Sequence, residues 1–193
     1  MRLLEAASTS TSVPAARLPW WWRGVLWYVR RELPAWGRLY RVAGGVNAAP
    51  WRAAGSGRVV GKLHGYTLEF DLSNWSERLS FCLGRYHDLP IQLLLLQLLQ
   101  SGDCFVDIGA NIGMLSLLAR ARVGHEGLVV ACEPNPRLHS RLQASLGENR
   151  LDRVEVVSKA LGNTTGRTVL YEFSGHSGWG SLCAAGPDGT SPS

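Results

Sequence analysis

The sequence predicts an α/β fold with a doubly wound, mostly parallel sheet, preceded by a helical segment and a β-hairpin. Three observations carry that expectation. From residue 103 strand-like and helix-like runs alternate: "CFVDI", "GMLSLLARA", "LVVACE", a helix opening at Asn135–Pro136, then "RVEVVSKAL". The strand-like runs are apolar nearly throughout, as strands covered on both faces must be. The first of them runs straight into "GANIG", a glycine-bearing turn of the kind that joins a strand to the helix crossing over to its parallel neighbour.

Taken in order, residues 1–19 are rich in Ser, Thr and Ala and read as unstructured. They lack the apolar stretch of a secretory signal, while an organelle-transit reading stays open. "LPWWWRGVLWYVRRELPAWGRLYRV" then holds five of the chain's eight tryptophans. On a helical wheel Arg23, Arg30 and Arg31 share a face opposite Val25, Tyr28, Val29 and Leu33, with Trp27 misplaced among the arginines. The favoured reading is a helix docked on the domain, its arginines in water, cut short by Pro34 and the glycines. The other is peripheral membrane contact through residues 20–42, because Trp and Arg suit that boundary.

Residues 58–72 alternate. Tyr66, Leu68, Phe70 and Leu72 face one way and Thr67, Glu69 and Asp71 the other, which predicts a half-buried strand in a hairpin turning near Gly65. Asp88 and Pro90 suit the cap and first turn of a helix. "IQLLLLQLLQ" is apolar almost all round, which predicts a buried helix. "RTVLYEF" is a further strand-like run, and the last twenty residues are mostly Gly, Ser, Pro and Thr. The predicted domains are a flexible start with an Arg/Trp-rich helical segment over 1–57, an α/β domain over 58–182 and a tail over 183–193.

At 193 residues the chain has room for one domain or part of one with an appendage. The net charge of +5 comes almost entirely from arginine, and much of it sits before residue 60. With no basic base-reading helix and no RNA-binding aromatic motif, the expectation is no nucleic-acid partner. Cys82, Cys104, Cys132 and Cys183 are far apart, and Cys104 and Cys132 fall in apolar strand runs where a thiol packs as a small hydrophobe. That suits a reducing, cytoplasmic setting. The five histidines show no ligand spacing, so no metal is expected. No apolar run reaches the ~18 residues of a spanning helix.

The turn after the first strand raises the chemical question. Gly109 and Gly113 allow a tight turn and a ligand close to the backbone. The spacing is D-x-G-x-N-x-G, not the G-x-G-x-x-G that seats a pyrophosphate on a helix N-terminus. Asp107 precedes the glycines, where a carboxylate repels phosphate and attracts an ammonium group. Glu133 ends the second strand, where an acidic side chain can accept ribose hydroxyls. A phosphate-free adenosine carrying a cation and an amino acid satisfies both, and S-adenosylmethionine (SAM) is such a ligand. Simpler roles stay open: Asp107 as a turn aspartate, Asn111 as the cap of the following helix, Asn135 and Pro136 as cap and first turn. His87, His139 and His176 read as surface residues, His176 in "SGHSGWGSL" being the strongest candidate for a base.

"FVDIGANIG" followed by "ACEPNP" resembles the motifs of FkbM-type SAM-dependent methyltransferases. The resemblance extends from "GYTLEFDL" and "GRYHDLP" through "VVSKALGNTTG" to "GWGSL", roughly residues 58–182. It implies a Rossmann-like class I methyltransferase fold and methyl transfer, usually to a hydroxyl on a sugar or natural product. On this chain Asp107, Gly109, Asn111 and Gly113 would line the methionine and ribose side. Glu133 would hold the ribose, Pro134 and Asn135 would shape the adenine rim, and Ser158 to Ala160 would lie near the adenine.

The family continues into a strand like IKiDvEG, and nothing after Leu182 is similar to it. The expectation is therefore a fold incomplete at its C-terminus, with the "CFVDI" strand presenting an open edge able to pair with another chain. The sequence leans toward an enzyme, a methyltransferase with a small-molecule or glycan hydroxyl acceptor and no identifiable catalytic residue. Two alternatives stand beside it: a non-catalytic SAM-binding or pairing fragment, and a nucleotide-dependent oxidoreductase, which the glycine spacing disfavours.

Overall fold

The computed structural model describes residues 11–12, 19–163, 165–167 and 169–171. The chain divides into two compact units, Met1–Leu89 and Pro90–Ser193. Among the described residues no helix is long and apolar enough to cross a membrane.

In the first unit β1 (Thr11–Ser12), β2 (Ser56–Val60) and β3 (Thr67–Asp71) form an antiparallel sheet in that order. Helices α1 (Trp22–Arg30), α2 (Trp36–Val42), α3 (Ala48–Ala54) and α4 (Trp75–Leu83) complete the unit, with α4 packed on both β2 and β3. The β2–β3 hairpin turns through Gly65 and buries Leu68 and Phe70, followed by Leu72, as the alternation predicts; Tyr66 is half-buried. Phe70 meets Phe81 of α4 edge-on, and Trp22 of α1 meets Trp51 of α3 edge-on at 4.7 Å, so two aromatic pairs run through this core. Asn74 opens α4 by accepting the Ser76 N–H at 3.1 Å.

α1 docks on α4 with Val25 and Val29 buried, and Arg23 and Arg31 reach solvent. Arg30 departs from the expected arginine face. It is buried and donates from Nη2 to the Phe81 carbonyl at 2.9 Å, because one step along the helix turns it from water to α4. Trp27 sits among the arginines for a reason: the Arg31 guanidinium lies 4.3 Å from its ring centroid, a cation–π contact.

Beyond α1, Glu32 adopts a left-handed backbone, φ +50°. Its carboxylate receives Lys62 Nζ at 2.6 Å and Arg85 at 2.5 Å, tying the helix end to the hairpin and to the segment after α4. The Arg85 hydrogen bond, with Lys62 behind it, holds the Glu32 carboxyl down at about 2.

The second unit carries α5 (Leu89–Leu98, nearly all of it), β4 (Cys104–Ile108), α6 (Met114–Val123), β5 (Leu128–Cys132), α7 (Pro136–Glu148) and β6 (Val154–Val157). The sheet is parallel in the order β4-β5-β6. Strand, helix and strand alternate as the sequence predicts, and the architecture is a Rossmann-like α/β fold of which three strands are described. α6 packs on β4 and β5 and α7 on β6, with Leu117, Leu118, Leu142 and Leu146 buried. Arg120 closes the far end, donating from Nε to the Asp152 carbonyl at 2.9 Å and from its Nη1 to the Gly124 carbonyl.

Several expectations are corrected in this unit. β4 is not a buried strand: Val106 and Ile108 are 49% and 67% exposed, Cys104 is exposed rather than packed, and only Asp107 is buried. The reason is an uncovered face: Cys104, Val106 and Ile108 point to one side of the sheet, whereas α6 covers the other, where Asp107 meets Ser116. α5 is not buried all round either. Leu95 and Gln92 face inward, whereas Leu93, Leu94 and Leu98 are exposed. β6 is four residues long, shorter than the "RVEVVSKAL" run. In "RTVLYEF" the described residues show only a bridge at Tyr171, while Thr168, Glu172 and Phe173 lie outside the described residues.

Replacing Glu32 by Gln tests the three-way ion pair. A carboxyl held below its unfolded value stabilises the fold above about pH 4.5, and that contribution is lost as pH falls toward about 2. Allowing for solvent screening of a partly exposed group, Glu32→Gln is expected to lower unfolding free energy by about 1–2 kcal/mol at pH 7. Urea titrations should show the difference shrinking as the pH approaches 2.

Candidate functional site

Parallel pairing brings the C-terminal ends of β4, β5 and β6 to one level, with Ile108 opposite Cys132 and Cys132 opposite Val157. These ends and the loops leaving them carry every residue predicted to bind the cofactor. In open α/β sheets this edge is where ligands bind.

Asp107 is buried at the end of β4, and its Oδ2 accepts the Ser116 hydroxyl at 2.5 Å. The backbone then turns sharply. Gly109, Asn111 and Gly113 have φ of +80°, +52° and +88°, so three left-handed residues fall within five. At Gly113 two demands coincide, because a Cβ there would also lie 2.4 Å from Leu142 Cδ1 of α7. The turn is fastened to β5. Gly109 and Ala110 both donate their N–H to the Cys132 carbonyl, at 2.9 and 3.0 Å, and Gly113 donates to the Ala110 carbonyl at 2.8 Å.

Glu133 is buried immediately after β5 and links two loops through one carboxylate. Oε2 accepts the Asn111 N–H at 2.8 Å, and Oε1 accepts the Asn135 N–H at 2.9 Å. Its own N–H donates to the Val157 carbonyl at 3.0 Å, so all three strand ends are joined. Asn135 caps α7, its side-chain oxygen accepting from Arg137 N at 2.9 Å, with Pro136 in the first turn. Asn111 does not cap α6. That place belongs to Gly113, and Asn111 Oδ1 is buried without a hydrogen-bond partner.

Asp107, Gly109, Asn111, Gly113, Glu133 and Asn135 thus form one connected constellation, and Pro134 lies within it. Ser158 and Ala160 reach the same edge through strand register alone and are exposed. His87 and His139 are half-buried; His87 touches Ser80 and the Trp75 ring in the first unit. His176 and "GWGSL" lie outside the described residues. Ser116 and the Cys132 carbonyl are parts of this constellation that sequence reasoning missed. A lone serine inside the apolar run "GMLSLLARA" was the available signal for the first; a backbone carbonyl leaves none.

The electrostatics are one-sided. Burial pushes the Asp107 carboxyl up from its ordinary range, Ser116 pulls it part of the way back, and the nearby Glu133 carboxylate raises it further. The N–H groups of Gly109, Ala110, Asn111 and Gly113 are all engaged, whereas the buried Asn111 Oδ1 has no hydrogen-bond partner. The site can receive donors and positive charge.

No protein-family model matches this chain, and no curated protein matches it. Solved structures do show a likeness. A protein from Clostridium thermocellum named as an rRNA-methylase is similar over 37% of this chain and 40% of its own, with 19% identity and a TM-score of 0.36. Trm5b from Pyrococcus abyssi is similar over 52% and 27%, with 21% identity and a TM-score of 0.38. Fibrillarin from Aeropyrum pernix, solved with natively bound S-adenosyl-L-methionine, is similar over 55% and 52%, with 14% identity and a TM-score of 0.32. The chain spans about a quarter to a half of the length of these proteins. One expectation is corrected by them. A protein named as an rRNA-methylase stands among the similar structures, so the exclusion of nucleic acid, with its assignment of the acceptor to a small molecule or glycan, is withdrawn.

The raised Asp107 carboxyl has a measurable consequence. A carboxyl held above its unfolded value makes stability fall as pH rises from the ordinary aspartate range through the folded value. Asp107→Asn keeps an acceptor for Ser116 and removes the buried charge. Thermal unfolding should therefore show the variant more stable than the parent at pH 7, with the gain vanishing near pH 3.

Proposed function

We propose that the second unit binds S-adenosylmethionine at the C-terminal edge of its sheet, as the cofactor-binding part of an FkbM-type methyltransferase that methylates a hydroxyl oxygen. The observation that carries this reading is the all-acceptor character of the turn. Asp107, Glu133 and the unpartnered Asn111 Oδ1 gather where the N–H groups of Gly109, Ala110, Asn111 and Gly113 are already engaged. A nicotinamide dinucleotide would bring its pyrophosphate to this turn and meet the Asp107 and Glu133 carboxylates. S-adenosylmethionine brings an ammonium, two ribose hydroxyls and no phosphate.

In this reading Asp107 and Asn111 meet the amino-acid end, and Glu133 uses lone pairs left over from its two backbone bonds to accept ribose hydroxyls. Gly109, Asn135, Ser158 and Ala160 border the nucleoside. The bound cofactor supplies a methyl group on a sulfonium, activated toward an oxygen nucleophile. The chain's own share is to orient that group and to keep the amino-acid end charged and anchored. A second reading, cofactor binding without transfer, is favoured by the outer edge of β4, which carries no partner strand among the described residues.

Calorimetric titration of the full chain with S-adenosylmethionine tests the proposal. Saturable binding is expected, weakened about tenfold or more in Asp107→Asn, since a charge-assisted hydrogen bond is lost. Binding of NAD in place of S-adenosylmethionine, or an undiminished affinity in Asp107→Asn, overturns the reading.

A further inference from the structure

A second site stands in the first unit, independent of the cofactor reading. A cavity of about 570 Å³ is lined by Trp36, Tyr40, Arg41, Val46, Trp75, Arg78 and Leu79, with Gly37 at its wall. That volume is in the range that holds a small organic ligand. Three of the lining residues are aromatic, and the only charged groups in the lining are two arginines. Among the described residues neither Arg41 nor Arg78 forms an ion pair with a carboxylate.

The wall is built rigidly. Arg78 is buried, donating from Nε to the Gly45 carbonyl at 2.8 Å and from Nη1 to the Leu72 carbonyl at 2.8 Å. The Tyr40 hydroxyl donates to the same Gly45 carbonyl at 2.7 Å. Gly45 is needed for this approach, because a Cβ there would lie 2.3 Å from the Tyr40 ring. Carbonyl dipoles satisfy the hydrogen-bonding groups of Arg78 and leave its charge unneutralised beside an aromatic cavity. Trp75, 46% exposed at the start of α4, is steadied by the His87 ring at 5.6 Å. A preformed aromatic pocket with net positive walls selects a flat apolar body that carries negative charge.

We propose that this cavity binds a planar aromatic anion, its ring system against Trp36, Trp75 and Tyr40 and its anionic group toward Arg41. The probe is 1-anilinonaphthalene-8-sulfonate, with N-phenyl-1-naphthylamine as the uncharged molecule of nearly the same shape. Fluorescence titration of the full chain should show saturable one-to-one binding of the sulfonate, tighter than that of the neutral amine. Arg41→Ala should weaken the sulfonate roughly three- to tenfold, as expected for loss of a solvent-exposed charge contact, and leave the amine unchanged. Leu79→Trp fills the cavity and should abolish binding of both. Val46→Trp, at an exposed position on the rim, gives the same readout should Leu79→Trp not fold. Sulfonate affinity unchanged in a folded cavity-filling variant, or equal for the charged and neutral probes, overturns the proposal.

Discussion

The Glu133 carboxylate accepts the Asn111 N–H on one oxygen and the Asn135 N–H on the other, and the candidate site depends on that bridge. It holds two loops that leave different strands and that only parallel pairing brings near each other. Hydrogen bonds to a charged acceptor contribute about 1.5–3 kcal/mol each, enough to hold Asn111 in a left-handed conformation that L-residues with side chains disfavour. With Asn111 so held, Gly109 and Ala110 reach the Cys132 carbonyl and Gly113 can start α6. A residue expected to serve a ligand is thus also the fastening of the turn that would receive one.

Much of this was legible in the residues. Strand and helix alternation after residue 103 is written in the period of the apolar runs, and the hairpin in the spacing of Leu68, Phe70 and Leu72. The turn was readable because Gly109 and Gly113 leave few backbone alternatives. What escaped depends on neighbours that a linear pattern does not name. "CFVDI" and "IQLLLLQLLQ" look buried by composition, yet burial needs a covering surface, and Val106, Ile108 and Leu98 have none among the described residues. Arg30 reads as a surface arginine until the Phe81 carbonyl comes within its reach.

The two units handle buried charge in opposite ways. In the first, Glu32 gathers two cations, and Arg78 is wrapped in backbone carbonyls. In the second, Asp107 and Glu133 crowd together at one edge with backbone and hydroxyl donors and no cation. The first arrangement satisfies its charges from within, apart from the face Arg78 turns to the cavity. The second leaves a deficit of positive charge that the protein does not supply from its own described residues.

Sheet pairing also bears on how the chain acquires its structure. The hairpin joins Val60 to Thr67 across a short turn, so its contacts form between near neighbours in sequence. β4 and β5 instead pair Cys104 with Leu128, and β5 and β6 pair Val129 with Val154, each across an intervening helix. Closing those long segments sacrifices chain entropy before any ladder bond forms, which makes parallel pairing intrinsically slow. The Glu133 bridge requires β5 to be set against β4, and the Glu133 N–H bond to Val157 requires β6 beside it, so the loop edge depends on two non-local pairings.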